Sequence, residues 1–103
     1  MALELRPNCE FCNRDLPPQS EDARICTYEC TFCSECVEHE LENVCPNCGG
    51  GLQTRPIRPA TEWREGLSLA KRPASKQRVS LSYSRDEIRE FSARLRLILP
   101  AQR

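Results

Sequence analysis

Long hydrophobic runs are missing from this chain: the longest unbroken aliphatic stretch is Leu97-Ile98-Leu99, whereas a membrane-spanning helix needs about 20 apolar residues. A spanning helix is therefore excluded. The start, Met1-Ala2-Leu3-Glu4-Leu5-Arg6-Pro7, shows no basic leader followed by an apolar core, so a cytoplasmic location is expected. Aromatic residues make up only 6% of the 103 residues and mean hydropathy is −0.60. A chain this short and polar cannot bury enough apolar surface to hold a fold by that means alone. Two domains of ordinary size are excluded as well. There is no internal repeat and no low-complexity tract. There is one histidine, His39, and the Ser and acidic residues are scattered without a paired base, so no constellation for nucleophilic or acid–base catalysis is visible and the chain is expected not to be an enzyme.

Cysteine is what the chain has in excess. Eight are present, five of them in the 22 residues from Glu29 to Gly50. In a reducing compartment an even number of closely paired cysteines points to metal rather than to disulfides. The pairs are Cys9/Cys12, Cys26/Cys30, Cys33/Cys36 and Cys45/Cys48. Each can present two thiolates from one tight turn, and tetrahedral zinc takes two such pairs at roughly 2.3 Å per sulfur. Two complete sites follow, with zinc as the expected ion and none of the eight thiols left over. His39, between Glu38 and Glu40 on a short helix, then reads as a solvated surface residue. An iron–sulfur carrier is the rival chemistry. However, a bacterial ferredoxin run places three residues before its proline-flanked fourth cysteine, and eight residues separate Cys36 from Cys45.

Two pairings remain open. Sequential pairing gives a treble-clef or zinc-ribbon assembly. Alternating pairing gives a cross-brace, with Cys9, Cys12, Cys33 and Cys36 at site 1 and Cys26, Cys30, Cys45 and Cys48 at site 2. The spacing Cys9-x2-Cys12-x13-Cys26-x3-Cys30-x2-Cys33-x2-Cys36-x8-Cys45-x2-Cys48 resembles that of the RING-finger family. The stretch Cys30 to Cys48, with an aromatic before the fifth ligand and Cys-Pro-x-Cys at the end, is similar to the second half of such a domain. That resemblance implies a ubiquitin-ligase-like adaptor in which Phe11 would touch a conjugating enzyme. Two positions depart from it: Glu40 stands where many such ligases have Trp, and Gly49 where they have a cation. A structural likeness without ligase chemistry is the better reading. The segments MALELRPNCE, DLPPQSEDARIC, VCPNCGGGL and RPIRPA are similar to small bacterial proteins of domain of unknown function family 1272. That resemblance implies a bacterial cytosolic protein with a cysteine-rich metal module and implies no activity.

The fold class expected is a small α+β zinc-stapled module, RING-like in its cross-brace, with a strand-and-helix tail. Residues 1–52 would form the cysteine module, 53–66 a Pro/Arg-rich linker beginning after Gly49-Gly50-Gly51, and 67–103 the basic tail. Within the module, Ala23 to Cys26 with Tyr28 fits a strand, and Ser34 reads as the N-cap of a short helix carrying Val37, Leu41 and Val44. In the tail, Leu67 and Leu69, then Val79, Leu81 and Tyr83, alternate with polar residues as two short strands would. Ser84-Arg85-Asp86-Glu87 is a capping box opening a helix over 85–99, with Ile88, Phe91, Leu95 and Ile98 on one stripe. A helix of that length is marginal alone, so it must dock on the module or on a second copy.

Charge separates the two parts. Residues 1–52 carry three Arg against ten acids, or −7, and residues 53–103 carry twelve Lys and Arg against five acids, or +7. The simplest partner for the tail is the front half of the same chain. Trp63 and the loop Lys71 to Arg78 suggest nucleic-acid binding, but a net charge of zero and Trp63 packed under the linker weigh against it. A protein partner, a homodimer through helix 85–99 included, is expected instead.

Overall fold

The computed structural model describes residues 2–103. Its sheet is short and central. β1 (Ala23–Ile25) pairs antiparallel with β2 (Thr31–Cys33) in the register Ala23↔Cys33, Arg24↔Phe32 and Ile25↔Thr31, and β3 (Gln53–Thr54) pairs antiparallel on the other edge of β1. Cysteine turns set the limits of these strands. The β1–β2 connection turns back through Cys26–Cys30, where the Glu29 N–H donates to the Cys26 carbonyl at 3.1 Å and Glu29 takes a left-handed φ of 67°. Tyr28, expected in the strand, stands exposed on this loop.

After β2 the chain enters one helical turn, α1 (Ser34–Cys36), which widens into a π-helical stretch, Val37–Leu41. Ser34 is the first helical residue and not the cap expected of it: Cys33 occupies the N-cap position, and the Ser34 N–H is satisfied by the Asp22 carbonyl at 2.8 Å. The wide turn ends at two successive left-handed residues, Glu42 and Asn43, with the Asn43 N–H reaching back to the Val37 carbonyl at 3.2 Å. Asn is a usual occupant of that conformation; Glu is not, and stores some strain. Val37 and Leu41 join Phe32 and Leu16 in the core cluster, and Val44 is buried as well. Thirteen buried side chains form the core cluster of the described residues, and six of them are cysteines.

Residues 53–55 are tied into the sheet and the N-terminal turns. β3 extends the sheet, and Arg55, only 2% exposed, points beneath it. Its guanidinium donates to the carbonyls of Arg6 at 2.8 Å, Leu16 at 3.3 Å and Pro17 at 3.1 Å, tying two N-terminal stretches together. No carboxylate pairs with it among the described residues, Nε has no partner, and burial lowers its pKa. Each buried carbonyl orphaned by truncation costs about 1–3 kcal/mol. Arg55→Ala should therefore destabilise the protein by about 3 kcal/mol, read as a lower denaturation midpoint with an unchanged m-value. A midpoint equal to that of the parent would show that the three carbonyls find water instead.

The tail crosses back over the module without the two strands that its alternation suggests. The extended backbone near Val79 is held by a side chain acting as a strand edge would: Asn8 donates Nδ2–H to the Val79 carbonyl at 2.9 Å and accepts from the Val79 N–H at 3.1 Å. The Leu81 N–H goes to the Glu10 carbonyl at 3.1 Å, and the Ser75 N–H to Glu4 at 3.1 Å. These isolated bonds satisfy the chain one residue at a time, so no ladder forms. α2 (Arg85–Leu95) follows, opened by the Ser84/Glu87 capping box in both directions at 3.1 Å. It stops at Leu95, four residues before the expected end. Leu99 precedes Pro100 and is extended, and Pro100–Gln102 forms a 3₁₀ turn seated on Gly51.

α2 lies on the module. Ile88 is fully inside the core, and Phe91 and Leu95 press on Gly49, where an added Cβ would stand 3.1 Å from Leu95 Cδ1. Ile98, expected on the same stripe, falls beyond the helix end. Charge follows the apolar contact: Arg96 pairs with Glu42 at 2.9 Å, Arg78 with Asp15 at 2.8 Å, and the Arg103 guanidinium donates to the carbonyls of Asn43 at 2.8 Å and Gly49 at 3.1 Å. Trp63, expected beneath a linker, is 79% exposed.

Candidate metal centres

Four chain segments bring the eight thiols into two groups. The sulfurs of Cys9, Cys12, Cys33 and Cys36 all lie within 4.8 Å of one another, as do those of Cys26, Cys45 and Cys48. Cys30 joins the second group through hydrogen-bonding contact of its sulfur with Cys45 and Cys26. First pair thus meets third, and second meets fourth. Four sulfurs placed tetrahedrally at roughly 2.3 Å from one ion stand about 3.8 Å apart, and Cys12 Sγ to Cys33 Sγ measures 3.8 Å. Either group could hold one metal ion. His39 belongs to neither and is exposed on the π-helical turn.

The turns are built to present sulfur as an anion. Backbone N–H groups point at the thiols: Cys12 N to Cys9 Sγ at 3.5 Å, Tyr28 N to Cys26 Sγ at 3.3 Å, and Gly50 N to Cys48 Sγ at 3.4 Å. The Cys45–Cys48 turn closes through the Gly49 N–H on the Cys45 carbonyl at 2.7 Å, with Gly49 at a φ of 81°. At that angle glycine is the unstrained choice, and an added Cβ would press on Leu95 Cδ1 at 3.1 Å. Asn47 Nδ2 donates to Cys30 Sγ at 3.4 Å. Donors that touch a ligand sulfur in this way orient it and spread its charge. Asn47 was readable only as the variable residue of a Cys-Pro-x-Cys turn; nothing in the sequence marks which sulfur it serves.

Crowding splits the acidities within each group. Burial pushes the Cys9 and Cys36 thiols up, and Cys26 rises to about 11 for the same reason. Cys45 is raised chiefly by donating to Cys30 and further by burial, while Cys30 falls to about 5 because Cys45 and Asn47 donate to it. Cys12 is lowered although desolvation opposes it, the Arg14 backbone and neighbouring thiols supplying the hydrogen bonds. In each group a thiol of raised pKa thus donates to one whose pKa is lowered, Cys36 to Cys12 and Cys45 to Cys30. A divalent cation would replace those protons, so metal uptake releases protons and the affinity falls as pH falls. Each group would then place four anionic sulfurs around one dication.

The solvent exposure of the ligands is uneven. Cys12 and Cys48 are exposed and the other six are buried. A cavity of about 290 Å³ beside the first group is lined by Phe11, Cys12, Arg14, Glu35, His39 and Arg85, among others. Phe11 itself is half-buried, with the Arg85 guanidinium 4.8 Å above its ring. No helix among the described residues is long and apolar enough to cross a membrane.

Comparison with known sequences gives a family and a relative. The family model described as protein of unknown function (DUF1272) matches residues 2–58, the span that ends where Arg55 to Arg58 close the module. An uncharacterized protein of Rhizobium meliloti (strain 1021) is 60% identical over 77 residues, covering 75% of this chain and 84% of the relative. No solved structure matches.

Proposed function

The chain belongs to the DUF1272 family, and from that premise we propose that its residues 2–58 bind two zinc ions in a RING-like cross-brace and serve as a non-enzymatic protein-interaction module of the bacterial cytoplasm. The observation that carries the reading is the alternation of the cysteine pairs, first with third and second with fourth. Zinc suits an all-thiolate set closed to further ligands, which leaves no position for a substrate. The departures at Glu40 and Gly49 count against ligase chemistry. So does the tail: Phe11, which a conjugating enzyme would need, lies under Arg85, and α2 sits on the Cys45–Gly49 turn. Surface for a protein partner, a second copy included, is offered at the C-terminal edge, where Leu97 is 87% and Leu99 65% exposed.

Cadmium-substituted protein tests metal and pairing together. Two ¹¹³Cd resonances in the four-thiolate range are expected, with Cys9→Ser and Cys33→Ser perturbing one and Cys26→Ser and Cys45→Ser the other. Cys9 and Cys26 mapping to one resonance would replace the cross-brace with sequential pairing, and a brown, iron-containing preparation would replace zinc with a cluster.

A further inference from the structure

We propose that the tail carries a binding face for single-stranded nucleic acid, formed by Trp63, Arg64, Leu67, Lys71, Arg72 and Lys76. This goes beyond the metal-module reading and does not depend on it. Residues 55–78 hold seven cations against two acids, Glu62 and Glu65. Among the described residues the ion pairs engage Arg78, Arg89 and Arg96 of the tail and none of Arg64, Lys71, Arg72 or Lys76. Those four cations are exposed and free.

Backbone bonds shape the segment that carries them. The Leu69 N–H binds the Pro59 carbonyl at 2.9 Å and closes a loop with Trp63 near its tip, while the Arg72 N–H on the Ser68 carbonyl at 2.8 Å makes the turn that presents Lys71 and Arg72. Buried Ser68 anchors that turn, its hydroxyl accepting from the Lys71 N–H. A groove of about 880 Å³ runs beside it, lined by Leu3, Arg58, Leu67, Lys71 and Arg72. Arg58 braces the floor through the Leu3 and Arg72 carbonyls. The one carboxylate in the lining, Glu4, is bound to Arg6 at 3.2 Å.

An exposed indole in the same segment as unpaired cations, two of which line a groove, matches what a nucleotide chain offers, a flat base and a phosphate. Stacking on an aromatic side chain accepts any base, and cations track the backbone. The strand would be single: residues 55–83 contain neither a helix nor a two-stranded ribbon that could enter a duplex groove. A bilayer fits less well, because Lys71 and Arg72 line a recess and no amphipathic helix lies in this segment. Net charge zero does not oppose the reading. At physiological ionic strength the screening length is about 8 Å, so the local cations decide. The sequence pointed away from nucleic acid through net charge zero, a packed Trp63 and cations turned to the acidic front half; the indole is in solvent, and Arg64, Lys71, Arg72 and Lys76 join none of the ion pairs among the described residues.

Trp63 is the chain's one tryptophan, so its fluorescence reports directly. Titrating the intact protein with an oligothymidylate of about 12 nucleotides should quench it, and log K against log salt should fall with a slope near −2, from about three phosphates at 0.7 each. Trp63→Ala, followed through a fluorescein-labelled oligonucleotide, should weaken binding about ten-fold or more. Lys71→Gln with Arg72→Gln should flatten the slope by about 1.4. All three positions are exposed, so unchanged circular dichroism is expected in each variant. No response to the oligonucleotide, or equal affinity for duplex, would overturn the proposal. So would a blue shift confined to phosphatidylserine vesicles, which assigns the face to membranes, or a response confined to polyglutamate, which assigns it to acidic protein.

Discussion

A strong chelator is expected to unfold residues 2–58 cooperatively, with loss of far-ultraviolet circular dichroism and release of two zinc equivalents. The reason lies in what the core is made of. Six of its thirteen members are cysteines, and the apolar remainder is Leu16, Ala23, Phe32, Val37, Leu41, Leu52 and Ile88. The strands are three, three and two residues long, far below what stands alone in water. Structural zinc contributes about 10–16 kcal/mol at pH 7, as much as the whole net stability of an ordinary domain, about 5–15 kcal/mol. Removing it leaves nothing comparable. The same logic grades the single substitutions. Cys45→Ser, at a buried ligand on the turn that seats α2, should abolish the fold, whereas Cys12→Ser and Cys48→Ser, at exposed ligands, should weaken zinc retention and leave a folded protein in excess metal. Circular dichroism unchanged by the chelator, or equal damage from Cys12→Ser and Cys45→Ser, would show that apolar packing and not metal holds the module.

How much of this was legible depended on whether the determining contacts were local. Cysteine pairs three or four residues apart announce their turns, and the capping box of Ser84 and Glu87 announces α2, because each is a constraint between near neighbours. Arg55 has no such signature. Its three carbonyl partners lie 38 to 49 residues away, and from the sequence it is one more cation in a Pro-rich run. β3 escaped notice for a related reason: two exposed polar residues, Gln53 and Thr54, carry no alternating pattern, and only the edge of β1 makes them a strand. The tail erred in the opposite direction. Leu67, Leu69, Val79, Leu81 and Tyr83 alternate as strands do, but the partners on offer are the Asn8 amide and the lone carbonyls of Pro59 and Glu10, so the backbone is satisfied without a ladder. Which sulfurs converge is also non-local, and spacing left two pairings open until the chain was folded.

Phe91→Asp or Ile88→Asp is expected to release α2 from the module, whereas about 0.5 M salt, which shortens the screening length to about 4 Å, should not. Two kinds of contact hold the helix, and they differ in size. Ile88 is buried in the core, and Phe91 and Leu95 are half-buried against Gly49; full burial of such a side chain contributes about 1.5–3 kcal/mol. The ion pair Arg96–Glu42, at the end of the helix, joins side chains that are 46% and 44% exposed, and Arg78–Asp15, in the segment leading to it, joins side chains at 44% and 82%. Pairs so open to water contribute about 0–1 kcal/mol each, and the Arg85–Phe11 contact about 0.5–1 kcal/mol. Apolar contact therefore decides whether α2 docks, and charge decides which way it lies. Once released, an 11-residue helix is marginal in water, so trypsin should cut at Arg89 and Arg94 within it, at sites the docked helix protects. Zinc content should stay at two equivalents, because no ligand belongs to the tail. Ready cleavage of the parent in high salt, together with a protected Phe91→Asp variant, would reverse the ranking and make the tail an electrostatic arm, free to leave the module for any strongly acidic partner.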